Sequence, residues 1–393
     1  VYFTCYRGIV SEVFWPIVDT VNTVDLQFLV TDTAKTFLDE EKQQSYTVTR
    51  PDSKALHYQA VTSNTGHNWR ITKKIFTDPG RDVLIQRVTF EALNGRLAKD
   101  FNLYVLHNPS MDNSGANDTS KTLVSGGRTM LVASQNSRAS AVAISRPWKL
   151  SGTTPMVSSG FVGVNDGYTD LAADKTMNNT FDSAVNGNVA QLGWVDLGTS
   201  TTATSISFDM VLGFGTTEAN AMNAATGTLG ANMATIETTY KTEWNTYANA
   251  LSTQGGLADA QYYLAAMSLK ASQDKSNGAM IAGMGTPWGE TNGDSNPVGY
   301  HLIWPRDLFK FANALITAGD TATANKTVNY LFNVQMQTSD CGTAEYNAAG
   351  CAQGFSRVGR FPQNSWVSGF QYWQGTQLDQ QGMPIILAER LGR

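Results

Sequence analysis

The run Gly299-Tyr300-His301-Leu302-Ile303-Trp304-Pro305-Arg306-Asp307 sets an aromatic wall, a forked cation and a carboxylate at one strand-to-helix corner. Arg306 offers five N–H donors in a rigid plane and Asp307 offers only acceptors, so together they match adjacent hydroxyls of one pyranose ring. Trp304 and Tyr300 add flat faces for the C–H surface of such a ring. Pro305 suits the first turn of a helix, where its missing N–H costs nothing, and Leu308, Phe311, Leu315 and Ile316 follow at helical spacing. The corner is therefore expected at a helix N-terminus. On spacing alone a plainer reading is equally open: a buried Arg306–Asp307 pair that only locks the helix start.

The elements that must position this corner change character near residue 216. Before it, Val83, Ile85, Arg87 and Phe90, then Phe101, Leu103 and Val105, then Ile206, Phe208, Met210 and Leu212 alternate in the manner of half-buried antiparallel strands. Asp112-Asn113-Ser114-Gly115, Ser125-Gly126-Gly127 and Asn186-Gly187-Asn188 supply turn chemistry between such stretches, which together predict a large β-sandwich. From about Glu218 the period becomes helical. Ile236, Tyr240, Trp244, Tyr247 and Leu251 share one face of a linker helix over 231–251, and Gly255-Gly256 punctuates it. Helical patterning resumes over 257–271, 304–318, 321–337 and 378–391. The long loops between hold much of the region's Trp, Gly and Pro, where binding residues concentrate.

With 393 residues, 41% hydrophobic and 16% charged, the chain can bury substantial cores and favours at least two domains. A net charge of -5 without Lys or Arg clusters argues against nucleic acid or an anionic membrane as partner, and suits a neutral polymer. No apolar run is long enough to span a bilayer, and the first residues lack the pattern of a signal peptide, so the chain is expected to start inside a mature protein. Aromatics at 10%, with many Asn, Thr, Ser and Gly, match secreted carbohydrate-active surfaces. Cys341 and Cys351 bracket a turn-rich segment and could close a small disulfide loop, leaving Cys5 unpaired and buried rather than reactive. His57, His67, His107 and His301 are scattered and show no metal-ligand spacing. Asp112, Asp118, Asp166 and Asp170 could bind calcium, yet their order is unlike that of an EF-hand loop. Sequons at Asn117, Asn178 and Asn325 say little about function.

Three opening segments, Gly8 through Pro16, Val18-Asp19-Thr20 and Asp25 through Asp32, resemble the start of the bacterial glucoamylase and glucodextranase family, glycoside hydrolase family 15. Thr286-Pro287-Trp288-Gly289, Tyr300 through Asp307, Phe361 through Trp366 and Tyr372 through Asp379 follow in that family's order and approximate spacing. The resemblance spans essentially the whole chain. It implies an α+β multidomain fold: an N-terminal antiparallel β super-sandwich over 1–216, a helical linker over 217–256, and the first part of an (α/α)6 catalytic barrel over 257–393. Four of the twelve helices of such a barrel are placed by periodicity. A partial toroid exposes apolar helix faces, so a second chain carrying the remaining helices is expected as partner.

The implied activity is exo-hydrolysis of α-glucosidic bonds from non-reducing ends of starch, dextran or their oligosaccharides, releasing β-D-glucose with inversion. The implied setting is bacterial secretion, extracellular or periplasmic, and the implied chemistry requires no cofactor. No catalytic glutamate of the family has a matching motif here, and the general acid and base are expected after Arg393. Carried over residue by residue, Arg306 and Asp307 would hold the terminal glucose hydroxyls, Trp304 and Tyr300 would wall that subsite, and Trp373 would stack near the scissile bond. Trp366 and Gln363 are pocket candidates, although a Trp beside Pro is ordinarily core, and Trp288 stands between those cases. Glu290, Asp294 and Glu345 are tempting loop acids that read more simply as solvated surface groups. Asp379 is expected to cap or orient the last helix. A glycoside phosphorylase of similar architecture and a non-catalytic glycan-binding protein remain the alternatives.

Overall fold

The computed structural model describes residues 1–252, 259–284, 301–336, 358–373 and 375–393. Two antiparallel sheets form the N-terminal half. One runs β1 (Tyr2–Tyr6), β2 (Ile9–Phe14), β3 (Val21–Asp32), β9 (Phe101–Pro109), β17 (Val189–Val195) and β15 (Val157–Phe161), with β4 (Leu38–Glu40) also paired to β3. The other has nine strands in the order β16 (Ser183–Gly187), β10 (Asp118–Ser125), β11 (Arg128–Gln135), β12 (Arg138–Ile144), β18 (Ser205–Gly215), β8 (Val83–Ala92), β7 (Trp69–Thr77), β6 (Tyr58–Asn64) and β5 (Ser45–Thr49). A small hairpin, β13 (Leu150–Ser151) and β14 (Thr154–Pro155), stands apart.

Alternation sends Leu26, Phe28 and Val30 of β3, Leu103 and Val105 of β9, Leu84, Val88 and Phe90 of β8 and Met210 and Leu212 of β18 into one core between the sheets. Strands β6 and β7 and the first residues of β18 alternate as predicted, but the rest of β18 and the start of β8 are buried on both faces. Helix α2 (Glu218–Leu229) and helix α3 (Met233–Ala250) cover the outer face of the nine-stranded sheet, so Val83, Ile85, Val132 and Val211 are buried against Ala221, Ala225, Ile236 and Tyr240. Helix α1 (Gly167–Asp174) likewise puts Leu171 against Leu29, Tyr104 and Leu192 behind the seven-stranded sheet. Gly213 and Gly215 let α2 lie on the backbone of β18. A Cβ at either would stand 2.6 Å from main-chain atoms of Ala221.

Among the described residues of the C-terminal part the helices are α4 (Ala260–Ala271), α5 (Pro305–Thr317), α6 (Thr321–Asn333) and α7 (Leu378–Arg390), each close to a span that periodicity predicts. Asp259 and Asp320 cap α4 and α6 by accepting from first-turn N–H groups. Leu308, Ala312 and Leu315 of α5, Ala324, Val328 and Leu331 of α6 and Leu387 of α7 form one core, which also takes in Tyr2, Phe14, Val18 and Val21 of the sandwich. The two halves thus share a hydrophobic cluster.

His301 lies in that shared region, edge-on to Phe14 with ring centroids 5.3 Å apart. His107, inside the sandwich, sits 3.0 Å from Thr23 Oγ1 through Nε2 and 2.8 Å from Gln191 Oε1 through Nδ1. Burial pushes both imidazoles down to about 4. In the unfolded chain a histidine takes its proton near pH 6.5, so the stability these neutral rings confer is complete above that value and is lost as pH falls from there through about 4. Urea unfolding at pH 7 and 4.5 should show wild type losing about 2–3 kcal/mol more than His107→Gln over that interval. Equal losses would mean that His107 titrates normally when folded.

Candidate functional site

Helix α5 begins as its sequence requires. Trp304 is the N-cap residue with extended backbone, Pro305 occupies the first turn, and Leu308 N–H donates to Trp304 O at 3.0 Å. Ile303, just upstream, exchanges two backbone hydrogen bonds with Ser365, at 2.9 and 3.0 Å. That exchange fixes the corner to a short hairpin of β19 (Asn364–Ser365) and β20 (Gln371–Trp373), where Trp373 N–H also donates to Asn364 Oδ1 at 2.8 Å.

The hairpin brings Trp366, Tyr372 and Trp373 to Trp304. Trp366 meets Tyr372 edge-on at 6.0 Å, Tyr372 stacks with Trp373 at 5.9 Å, and Trp373 meets Trp304 edge-on at 6.4 Å. All four are partly exposed rather than fully buried. Trp366, the Trp beside a proline-containing loop, is therefore not the buried core residue that such a position ordinarily suggests. Gln363 is partly buried at the base of the same hairpin.

Arg306 follows Trp304 by two residues in the first turn of α5. Its Nη1 donates to Asp379 Oδ2 at 2.8 Å and to Gln377 Oε1 at 3.3 Å. The hydrogen bond that Arg306 donates to Asp379 raises the guanidinium above its ordinary value, and the same bond holds the Asp379 carboxyl below the usual carboxylate range. The side chains of Arg306 and Asp379 are 38% and 37% exposed, so their pairing is that of a surface ion pair, screened by solvent. Arg306 is thus neither buried nor paired with Asp307, and the plainer reading of a buried Arg306–Asp307 lock does not hold. Asp307 follows it in the first turn of α5, partly exposed. Asp379, expected to cap or orient the last helix, stands in the first turn of α7, where its carboxylate meets the N–H groups of Gln380 and of its own residue and also accepts from Arg306.

Tyr300, Trp288, Glu290, Asp294, Glu345, Cys341 and Cys351 lie outside the described residues. Cys5 is partly covered, and desolvation pushes its thiol up to about 12, which makes it a poor nucleophile. The four aspartates considered for calcium are separately engaged. Asp112 pairs with Arg138 at 3.0 Å, Asp118 accepts from Met111 N–H, Asp166 caps α1, and Asp170 accepts from the N–H groups of Asn178 and Asn179. Among the described residues no group of three or more His, Cys, Asp or Glu is arranged to hold a metal ion.

Sequence reasoning left Tyr372, Gln377 and Tyr330 without a role. Tyr372 carries the signal of two aromatics side by side in a short extended segment. Tyr330, whose hydroxyl donates to Trp366 O at 2.6 Å, sits in a regular helical pattern and carries no such signal.

Residues 1–249 match the family described as glucodextranase, domain N, and residues 256–391 match glycosyl hydrolases family 15. The chain belongs to the glucoamylase and glucodextranase family. It is 37% identical over 394 residues to a glucoamylase of Clostridium sp. (strain G0005), covering 100% of this chain and 51% of that protein. It also matches the crystal structure of a bacterial glucoamylase complexed with acarbose, with a TM-score of 0.87 and 37% identity over 100% of this chain and 53% of that one. The chain thus spans about half the length of the relatives it matches. The expected second chain is corrected by the same finding, because the Clostridium glucoamylase carries the further length on one polypeptide.

Proposed function

We propose that this chain forms the sandwich and the glucose-binding corner of an exo-acting, inverting α-glucoside hydrolase that releases β-D-glucose from non-reducing ends of α-glucans. The observation that carries the proposal is the Arg306 fork standing, partly exposed, beside the band Trp304, Trp373, Tyr372 and Trp366 on a chain of this family. Arg306 and Asp307 supply donors and acceptors for the hydroxyls of one ring, while the indoles cover its apolar face. Trp373 extends that cover toward the bond to be cut. Tyr300 and Trp288 would complete the wall.

Inversion needs one carboxyl to protonate the leaving oxygen and a second to activate water on the opposite face of the ring. In this proposal both belong to the part of the family's length beyond residue 393, so residues 1–393 bind and orient. The reaction needs no cofactor, and a protein acting on polymeric glucan would be secreted. Glucose release from maltose, isomaltose and dextran by the whole protein, with and without phosphate, tests the proposal. Phosphate-independent release of glucose is expected. Strict dependence on phosphate with formation of a sugar phosphate, or sugar binding without turnover, would contradict it.

A further inference from the structure

The turn between β2 and β3 leaves the sandwich and enters the base of the candidate site. Asp19, at its tip and 3% exposed, accepts the N–H of Val367 through Oδ2 at 2.8 Å, across 348 residues of sequence. The opposite tie runs from the helical side, where Asp274 Oδ2 accepts Val18 N–H at 3.2 Å. Asn113 braces the turn from within the sandwich, donating to Asp19 O at 3.0 Å and accepting Val21 N–H at 2.7 Å. Val367 is held on its other side by Asn277 Nδ2, which donates to Val367 O at 2.6 Å.

Val367 directly follows Trp366, the end of the aromatic band. Its buried N–H therefore anchors the chain that aims an indole at the ligand, and the acceptor comes from the other half of the molecule. We propose that Asp19 is a positioning residue for sugar binding, by which the sandwich sets the orientation of Trp366 and, through the β19–β20 hairpin, of Trp373. This rests on the sugar-binding function proposed above. Without Asp19 the Val367 N–H is left buried and unpaired, and the loop gains freedom to move away from it. A displacement of about 1 Å in a binding wall weakens ligand contacts by factors of ten or more.

The test uses the whole protein, with maltose as the probe and quenching of tryptophan fluorescence as the binding signal. Asp19→Ala is expected to weaken maltose binding and to raise KM about tenfold while kcat stays within about threefold. Asp19→Asn, which keeps an acceptor of the same reach, should return the dissociation constant to within about twofold of wild type. If Asp19→Ala does not fold, Asp19→Ser carries the same expectation, its hydroxyl being too short to reach Val367. An alanine or serine variant that melts earlier yet binds maltose as wild type does would overturn the positioning role, since the contact would then be structural alone. Equal impairment in Asp19→Asn would overturn it as well. A wild type that neither binds nor cleaves maltose is a different failure, that of the sugar-binding function itself.

Discussion

Replacing Arg306 with alanine is expected to lower kcat/KM on malto-oligosaccharides by about 10²–10⁴-fold in the whole protein, because two charge-assisted hydrogen bonds to sugar hydroxyls are worth about 1.5–3 kcal/mol each. Its stability should hardly change. The Arg306–Asp379 pair is partly exposed on both sides, and such solvent-screened pairs contribute little to folding. Arg306→Lys keeps the charge but loses the planar fork, so a loss of at least about tenfold should remain. Steady-state kinetics together with thermal unfolding check both halves of the expectation. A large fall in melting temperature with normal turnover would return Arg306 to a helix-locking role.

The second large effect concerns the sandwich. Glu41 and Lys73 form an ion pair at 2.5 Å with both side chains 0% exposed. Glu41 also accepts Thr62 Oγ1–H at 2.7 Å and Phe28 N–H at 2.9 Å, which ties three strands of two sheets to one carboxylate. Burying two charges gains little over a well-packed apolar pair, but removing one partner strands the other. Glu41→Ala is therefore expected to destabilise the fold by about 3–5 kcal/mol in urea unfolding, and Glu41→Met with Lys73→Met should recover much of that loss. A single replacement that costs under about 1 kcal/mol would show that water reaches the pair.

These residues also mark where the sequence stops being informative. The strands and the helices α3 to α7 announce themselves because hydrophobic period is a local property, and Trp304-Pro305-Arg306-Asp307 does so because cap, proline and cation are neighbours. The covering of the sandwich is less visible. Alternation in β8 and β18 implies one wet face, and only the packing of α2 and α3 shows that the start of β8 and the end of β18 are dry on that face. Strand order is similarly hidden, since β16 and β17 follow each other within two residues yet lie in different sheets. Long-range polar partners leave no pattern at all: Arg306 finds Asp379 73 residues away, and Asp19 finds Val367 only because the whole fold brings a hairpin tip to the site. Of the aromatic band, Trp304 is legible by type and position, Trp366 and Trp373 enter through the family resemblance, and Tyr372 is joined to them only by the β19–β20 hairpin.

The central claim, that this corner grips the terminal glucose of an α-glucan, is tested most directly by oxidising the tryptophans of the whole protein with N-bromosuccinimide, with and without maltotriose, and locating the modified residues by mass spectrometry. Protection of Trp304 and Trp373 by the sugar, with Trp194 on the sandwich oxidised equally in both samples, is the predicted result. Equal oxidation of Trp304 and Trp373 with and without saturating maltotriose would contradict it.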